Sequence, residues 1–371
     1  MALLEYLRRE DPALEVSIEV LDDIAFEGDQ TELLQAKFHV TPGSLTDSSA
    51  DLWKTLRVWS ESAKDLPDAL LVLVTTATAA SGSIAALLRA TDRDPITAHR
   101  RLVAIAKSSS SQTLAPARVA FLGLAEEDRL ALVERIVISD GAPGFEDLDD
   151  LFLAALRLAA PADRREALTT RLREWWLART ERHLIAVSQG NHTRISGAEI
   201  EARLSDLRDE LAADNLPIDF EELEEPADED VDEQRKFVMQ LRLIALSRPR
   251  VRKAVHDYNR AYRQRGRWLR EELVGIDELS RYETRLKDEW DRLWLPEGED
   301  ELAEISDPDA EGRGRGVLMN CEGTQVEPIR PKVSAPFVMR GSLHVLADEL
   351  KIGWHHDWVE RMQIVLEGEA P

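Results

Sequence analysis

The sequence predicts an α/β N-terminal domain with a mixed sheet, then a mainly α-helical region and a small α+β C-terminal part. Three observations predict it. Polar and apolar residues alternate in two neighbouring stretches before residue 40. Apolar residues recur at helical spacing almost throughout after residue 95. Prolines and glycines break that pattern again over residues 307–336. The domains expected are 1–95, then 96–235 ending in an acidic linker, then 236–371.

In the first stretch Val16, Ile18 and Val20 alternate with Ser17, Glu19 and Leu21, the period of a half-buried strand. Glu27-Gly-Asp-Gln30 supplies turn chemistry, and Leu33 to Val40 reads as the returning strand. Alternation places Gln35, Lys37 and His39 on one face and Leu34, Ala36, Phe38 and Val40 on the other, with Glu19 and Asp23 sharing a face of the first strand. Burying two acids, a glutamine and a lysine is costly unless they are paired or hold a metal. Asp23 is the candidate direct ligand of Mg2+ or Mn2+. The Gln35 side chain and the Ala36 carbonyl would add oxygens of the kind hard cations prefer. Lys37 would stabilise charge developing on an attacked phosphate or position the attacking water, and Glu19 completes the catalytic candidates. Asp22 is an alternative metal ligand, since a bulge near the strand end would exchange it with Asp23. The competing reading is an ordinary surface hairpin with a Lys–Asp ion pair, because the spacing is short and degenerate.

The run Ile18-Glu19, Leu21-Asp22-Asp23-Ile24 and Leu33-Leu34-Gln35-Ala36-Lys37 resembles the restriction-endonuclease-like, Mrr-type nuclease core, in the branch that uses Gln-x-Lys. The likeness is to the double-stranded-DNA nuclease domain at the N-terminus of bacterial anti-phage effectors. Asp51-Leu-Trp-Lys-Thr-Leu-Arg-Val-Trp59 looks like that family's next helix, Leu70 to Ala77 like its third core strand, and Ser81 to Arg89 like the helix after it. The likeness covers residues 1–90. It implies a Mg-dependent endodeoxyribonuclease, and Lys54 and Arg57 on the helix are the candidate DNA-contacting bases. One departure is the first helix, which looks shortened before the strand at residue 16; Glu5 is a stand-in for the acid such a helix contributes.

Composition agrees with a cytoplasmic protein. No apolar run approaches the ~18 residues that cross a bilayer, and no signal peptide is visible. The single Cys321 excludes an intrachain disulfide and suits a reducing compartment. A net charge of −24 argues against non-specific DNA binding by the whole surface. The charge is uneven. Asp219 to Glu233 holds ten acids and no base, while Arg248 to Arg270 holds nine bases and one acid, Asp257. The acidic run, with Pro226 and Ala227, reads as a solvated linker; the sharper alternative is a decoy over the basic helix or a DNA groove.

The helical stripes are Phe145, Leu148, Leu151, Phe152, Ala155 and Leu156; then Ile200, Leu204, Leu207 and Leu211 after a cap at Ser196; then Leu279, Tyr282, Leu286, Trp290 and Leu293. They read as interior faces. Val251, Val255, Tyr258, Tyr262 and Leu269 form the stripe of the basic helix, leaving Arg250, Arg252, Lys253, Arg260, Arg263 and Arg267 for solvent, DNA phosphates or an acidic partner. Asp307 to Gly316 reads as a flexible connector and 316–336 as short strands. Cys321 with His344, His355 and His356 invites a zinc reading, but the spacing fits no closed structural site well, and packing and hydrogen bonding by aromatic and His side chains is the preferred reading.

Asp257-Tyr, Arg260-Ala-Tyr-Arg-Gln-Arg265, Trp268 to Leu273, Tyr282 to Trp290, and Arg340-Gly-Ser with Gly353-Trp-His355 resemble a C-terminal domain of ABC-three-component bacterial conflict systems, over residues 160–371. The resemblance implies coupling to an ABC-type ATPase and a middle component. No P-loop is present in the chain itself. The function expected is a metal-dependent DNA endonuclease effector of anti-phage or anti-plasmid defence, gated by partner subunits, acting on double-stranded DNA and compatible with a homo-oligomer. The alternative is a non-catalytic adaptor coupling a nuclease-like domain to the ATPase complex.

Overall fold

The computed structural model describes residues 1–371 except 12, 21–22, 42, 63–66, 192, 296–305, 325 and 369–371. The chain divides into two compact units, Met1–Asp206 and Leu207–Pro371.

The first unit opens with α1 (Ala2–Leu7). Three short strands follow as an antiparallel meander, β1 (Glu15–Ile18), β2 (Ile24–Glu27) and β3 (Glu32–Lys37). The single first strand expected from the alternation is thus two. The pairing ladder breaks at Glu19, whose φ of 58° is left-handed, and the turn closes through Glu19 N–H to Asp23 O at 3.3 Å. The return strand also ends at Lys37, not Val40, which is 93% exposed.

After β4 (Ser44–Leu45) comes α2 (Ala50–Ser62), which buries Leu52, Trp53, Leu56 and Trp59. β5 (Leu70–Thr75) is a nearly continuous apolar run and lies parallel to β3; such runs suit strands covered on both faces. β6 (Thr78–Ala79) pairs with β4 in a separate two-stranded sheet, and α3 (Ile84–Leu87) starts from a Ser83 cap. The helices α4 (Pro95–Ser108), α5 (Ala115–Leu122) and α6 (Glu126–Glu134) then lead to β7 (Ile136–Ser139). This strand was not expected, since helix was read throughout that stretch. Ile136 and Ile138 are buried and β7 extends the sheet parallel to β5. A 3-10 turn at Phe145–Asp147, α7 (Leu148–Ala155) and α8 (Arg165–Ser188) precede β8 (Ile195–Ser196) and α9 (Gly197–Glu210). The Ser196 hydroxyl caps α9 as the sequence indicates, accepting from Glu199 N–H at 3.2 Å. Phe145, expected inside, is exposed, and Phe152 and Leu156 carry the burial of its stripe. The sheet order is β7-β5-β3-β2-β1-β8, so β3 is central and mixed, antiparallel to β2 and parallel to β5. One apolar core joins β3, β5 and β7 to α2, α4 and α5.

The second unit is helical among its described residues: α10 (Lys236–Leu243), α11 (Arg248–Arg270), α12 (Ile276–Trp294), α13 (Asp307–Gly323), α14 (Pro336–Asp348) and α15 (Trp358–Gly368). The small α+β part is therefore corrected to all-helical. The supposed connector Asp307–Gly316 is the first half of α13, begun by Ser306 in extended conformation, Pro308 in the first turn and acids at 307 and 309. Its glycines serve packing. A Cβ on Gly314 would lie 2.4 Å from the Trp354 carbonyl oxygen, so only glycine lets the helix approach that backbone. Gly341 of α14 plays the same part, 2.1 Å by the same construction from the Asp257 carbonyl of α11. The α11 stripe is wider than read: Ala254, Ala261, Gln264 and Trp268 are buried, as is Arg265 against Glu283, whereas Tyr262 is 60% exposed.

Candidate active site

Pairing on both sides fixes the β3 backbone, so the period of two carries Gln35 and Lys37 to one face. The β1–β2 turn delivers Asp23 beside them at the start of β2. Lys37 Nζ donates to Gln35 Oε1 at 3.0 Å and lies 3.7 Å from Asp23 Oδ2. The Ala36 N–H donates to the same Asp23 oxygen at 3.1 Å. Gln35 is 5% exposed, while the Lys37 and Asp23 side chains keep 27% and 35% of their surface, so the buried amide props a cation and an anion that solvent can reach.

The other predicted residues stand differently. Glu19 sits exposed in the turn, off the strand, because the left-handed residue ends the alternation that would have aligned it with Asp23. Asp22 lies outside the described residues. Ala36 touches Asp23 through its N–H, whereas its carbonyl was the expected ligand. Glu5 is held by Arg8 at 3.0 Å and Arg9 at 3.1 Å, and Arg9 also grips Glu32 at 2.6 Å. Lys54 and Arg57 are exposed on α2, with Arg57 3.6 Å from Glu61. The cluster lies at the ends of β2 and β3 within a central part of the sheet, not at a sheet edge.

Two supports escaped the sequence reading. His183 of α8 is fully buried, with Nε2 3.2 Å from the Ile18 amide nitrogen and 3.1 Å from its carbonyl oxygen, where the strand gives way to the turn that carries Asp23. Beyond Lys37, His39 donates its N–H to Thr76 Oγ1 at 2.9 Å and its ring meets Asp51 at 2.6 Å, tying the end of β3 to β5 and α2. A histidine 165 residues from its partner leaves no local signal.

Two side-chain oxygens, Asp23 Oδ2 and Gln35 Oε1, converge on the Lys37 ammonium. Hard oxygen donors on one positive point are the donor set a Mg2+ or Mn2+ ion takes, with water completing its shell. The described residues therefore fit such an ion, with Asp23 as the carboxylate among them.

In the second unit α10, α11 and α14 bury Phe237, Val238, Leu241, Val251, Ala261, Leu343 and Leu346 around the Gly341 contact. Residues 237–362, from α10 into α15, match the family described as C-terminal domain 7 of the ABC-three component (ABC-3C) systems. The second unit thus carries an ABC-3C domain. No curated protein and no solved structure matches the chain. No described helix is long and apolar enough to cross a membrane.

Cys321 and His344 do not join His355 and His356 in one metal-compatible group among the described residues. Cys321 is buried in α13, and burial pushes its thiol up to about 12. His344 lies between the rings of Phe237 and Trp354, at 5.6 and 6.2 Å. The metal-compatible group among the described residues is His355, His356 and Asp357, without either of them.

His344 carries a pH prediction. Burial lowers its pKa from 6.5 to about 4, with Asp257 opposing and Arg250 reinforcing. The folded state binds the proton more weakly than the unfolded chain. Stability is therefore complete above 6.5 and is lost as pH falls from 6.5 towards 4, by up to ~3 kcal/mol. Urea midpoints should fall over that window, and a His344→Phe variant should show a shallower fall. An identical slope in the variant would remove His344 as its cause.

Proposed function

We propose that this chain is a metal-dependent DNA endonuclease effector of a bacterial defence system, held in check by partner subunits. The observation that carries the reading is the convergence of Asp23, Gln35 and Lys37 at the ends of β2 and β3. Asp23 and Gln35 would hold Mg2+ or Mn2+, which supplies an activated water and a polarised phosphoryl group. Lys37, kept extended by the Gln35 oxygen, places a positive charge where a phosphorane would gather negative charge. Lys54 and Arg57 would steady the DNA backbone from α2. The restriction-endonuclease-like resemblance supports the same chemistry.

The ABC-3C domain supports the second half of the reading. Through it the chain would join an ABC-type ATPase and a middle component, and a cytoplasmic nuclease that can attack its host's DNA needs such a gate. With Mg2+ present, the full chain alone should nick supercoiled plasmid slowly, and addition of the partner components with ATP should raise the rate at least ~10-fold. Full-rate cleavage by the chain alone would overturn the gating.

One observation favours the non-catalytic adaptor. Glu5 is held by Arg8 and Arg9, and Glu19 lies in the turn off the strand, so neither of these two candidate acids joins Asp23 at the Gln35–Lys37 pair. An adaptor would keep its DNA- or protein-binding role in the Lys37→Ala variant and show no metal-dependent cutting in any assembly.

A further inference from the structure

The acidic run is not a free linker. It is laid antiparallel along α11 in a fixed register. Pro217 O accepts from Trp268 Nε1 at 2.8 Å, and Asp219 N–H donates to Gln264 Oε1 at 2.7 Å. Glu221 O accepts from Arg260 at 3.3 Å, and Leu223 O meets His256 Nε2 at 2.7 Å. Glu225 pairs with Arg252 at 3.1 Å and Lys253 at 3.0 Å. Every second strap residue thus meets every fourth helix residue. The register is commensurate: two extended residues span ~6.6 Å and four helical residues ~6.0 Å. Past this point Asp228 still reaches Arg252 at 2.9 Å, and Glu233 reaches Arg242 of α10 at 2.6 Å. A polar cleft of ≈ 480 Å³ opens between them, lined by Asp228, Val231, Glu233, Arg242 and Arg248.

The two halves of the strap are held unequally. Leu216 and Pro217 are buried, whereas Glu221, Glu222, Glu224, Glu225 and Asp228 are exposed. Exposed ion pairs contribute little each and are screened by salt. The half from Glu221 to Glu233 is therefore held between buried Leu216 and Pro217 on one side and the buried face of α10 on the other, and is exchangeable along its length.

We propose that this face of α11 is a docking groove for an extended acidic segment of a partner protein, and that residues 221–233 occupy it until that segment replaces them. The groove reads peptide backbone as well as charge. Within the exchangeable half, Arg260 and His256 engage the main-chain carbonyls of Glu221 and Leu223, two positions apart, a pattern a phosphate backbone does not present. The inference rests on the coupling role proposed for the ABC-3C domain and names its surface. Its test uses neither nuclease activity nor the partners, so its failure is distinct from theirs.

The probe is a fluorescein-labelled synthetic peptide of residues 217–233, titrated with the full chain and followed by anisotropy. A strap-neutralised variant, E221Q/E222Q/E224Q/E225Q/D228N, should bind it at least ~10-fold more tightly than wild type, because the resident strap no longer competes. Single Glu225→Gln should shift affinity the same way by ~3-fold, which keeps the test readable if the multiple variant folds poorly. Arg252→Glu with Lys253→Glu should lose the peptide and accept one carrying lysine at the positions of Glu225 and Asp228. The proposal is overturned if neutralising the strap leaves affinity unchanged, or if the reversed face binds the original peptide undiminished. It is equally overturned if a DNA duplex displaces the peptide at the same concentration as unlabelled peptide, or if the neutralised variant dimerises by exchanging straps.

Discussion

Lys37→Ala is expected to abolish DNA cleavage while leaving the first unit folded. Removing one preorganised positive donor from a site of charge development costs on the order of 10²–10³ in rate. The fold should tolerate the change. The lysine side chain is partly exposed, its loss opens no apolar cavity, and Ala36 N–H still holds Asp23. A thermal scan and a plasmid-nicking assay on one preparation check both halves. A midpoint several degrees lower would make the lysine structural, and cutting at the wild-type rate would remove it from catalysis.

Gly341→Val should be the most damaging single change in the second unit. Even a Cβ at this position would come 2.1 Å from the Asp257 carbonyl oxygen and 2.5 Å from the Ala261 side chain, both on a helix packed tightly along α14. Backbone cannot swing aside as a side-chain tip can. Overpacking of this kind costs ~3 kcal/mol or more, enough to remove much of a small unit's stability. Urea unfolding should lose its C-terminal transition while the Lys37 site remains intact in the first unit. A stability change below ~1 kcal/mol would show that α11 and α14 are not held this closely.

The candidate site was legible in the sequence because its chemistry rides on a period of two. Alternation in β3 places Gln35 beside Lys37, and a hairpin return brings Asp23 to them. Glu19 was misplaced for the same reason. Alternation continues past it in the sequence, and nothing local says that the ladder stops at a residue with φ of 58°. Strand β7 was hidden because three apolar residues after a helix look the same in either structure, and only pairing with β5 decides. The glycines of α13 read as a connector because their purpose is the Trp354 carbonyl across the packing interface. Ten acids in fifteen residues read as a solvated linker until the spacing of bases on α11 supplies a matching register. His183, Gln264 and Trp268 act on segments far away in the chain, so no window of sequence shows them at work.

The most direct test of the central claim is cleavage of supercoiled plasmid by the assembled complex in Mg2+, with wild type and Asp23→Asn compared at equal folded concentration and an EDTA control for each. The account predicts nicked and linear products from wild type alone, suppressed by EDTA and restored by added Mn2+. Asp23→Asn should fall at least ~10²-fold below it. Equal cutting by the two proteins, or cutting that survives chelation, would contradict a metal centre at Asp23, Gln35 and Lys37.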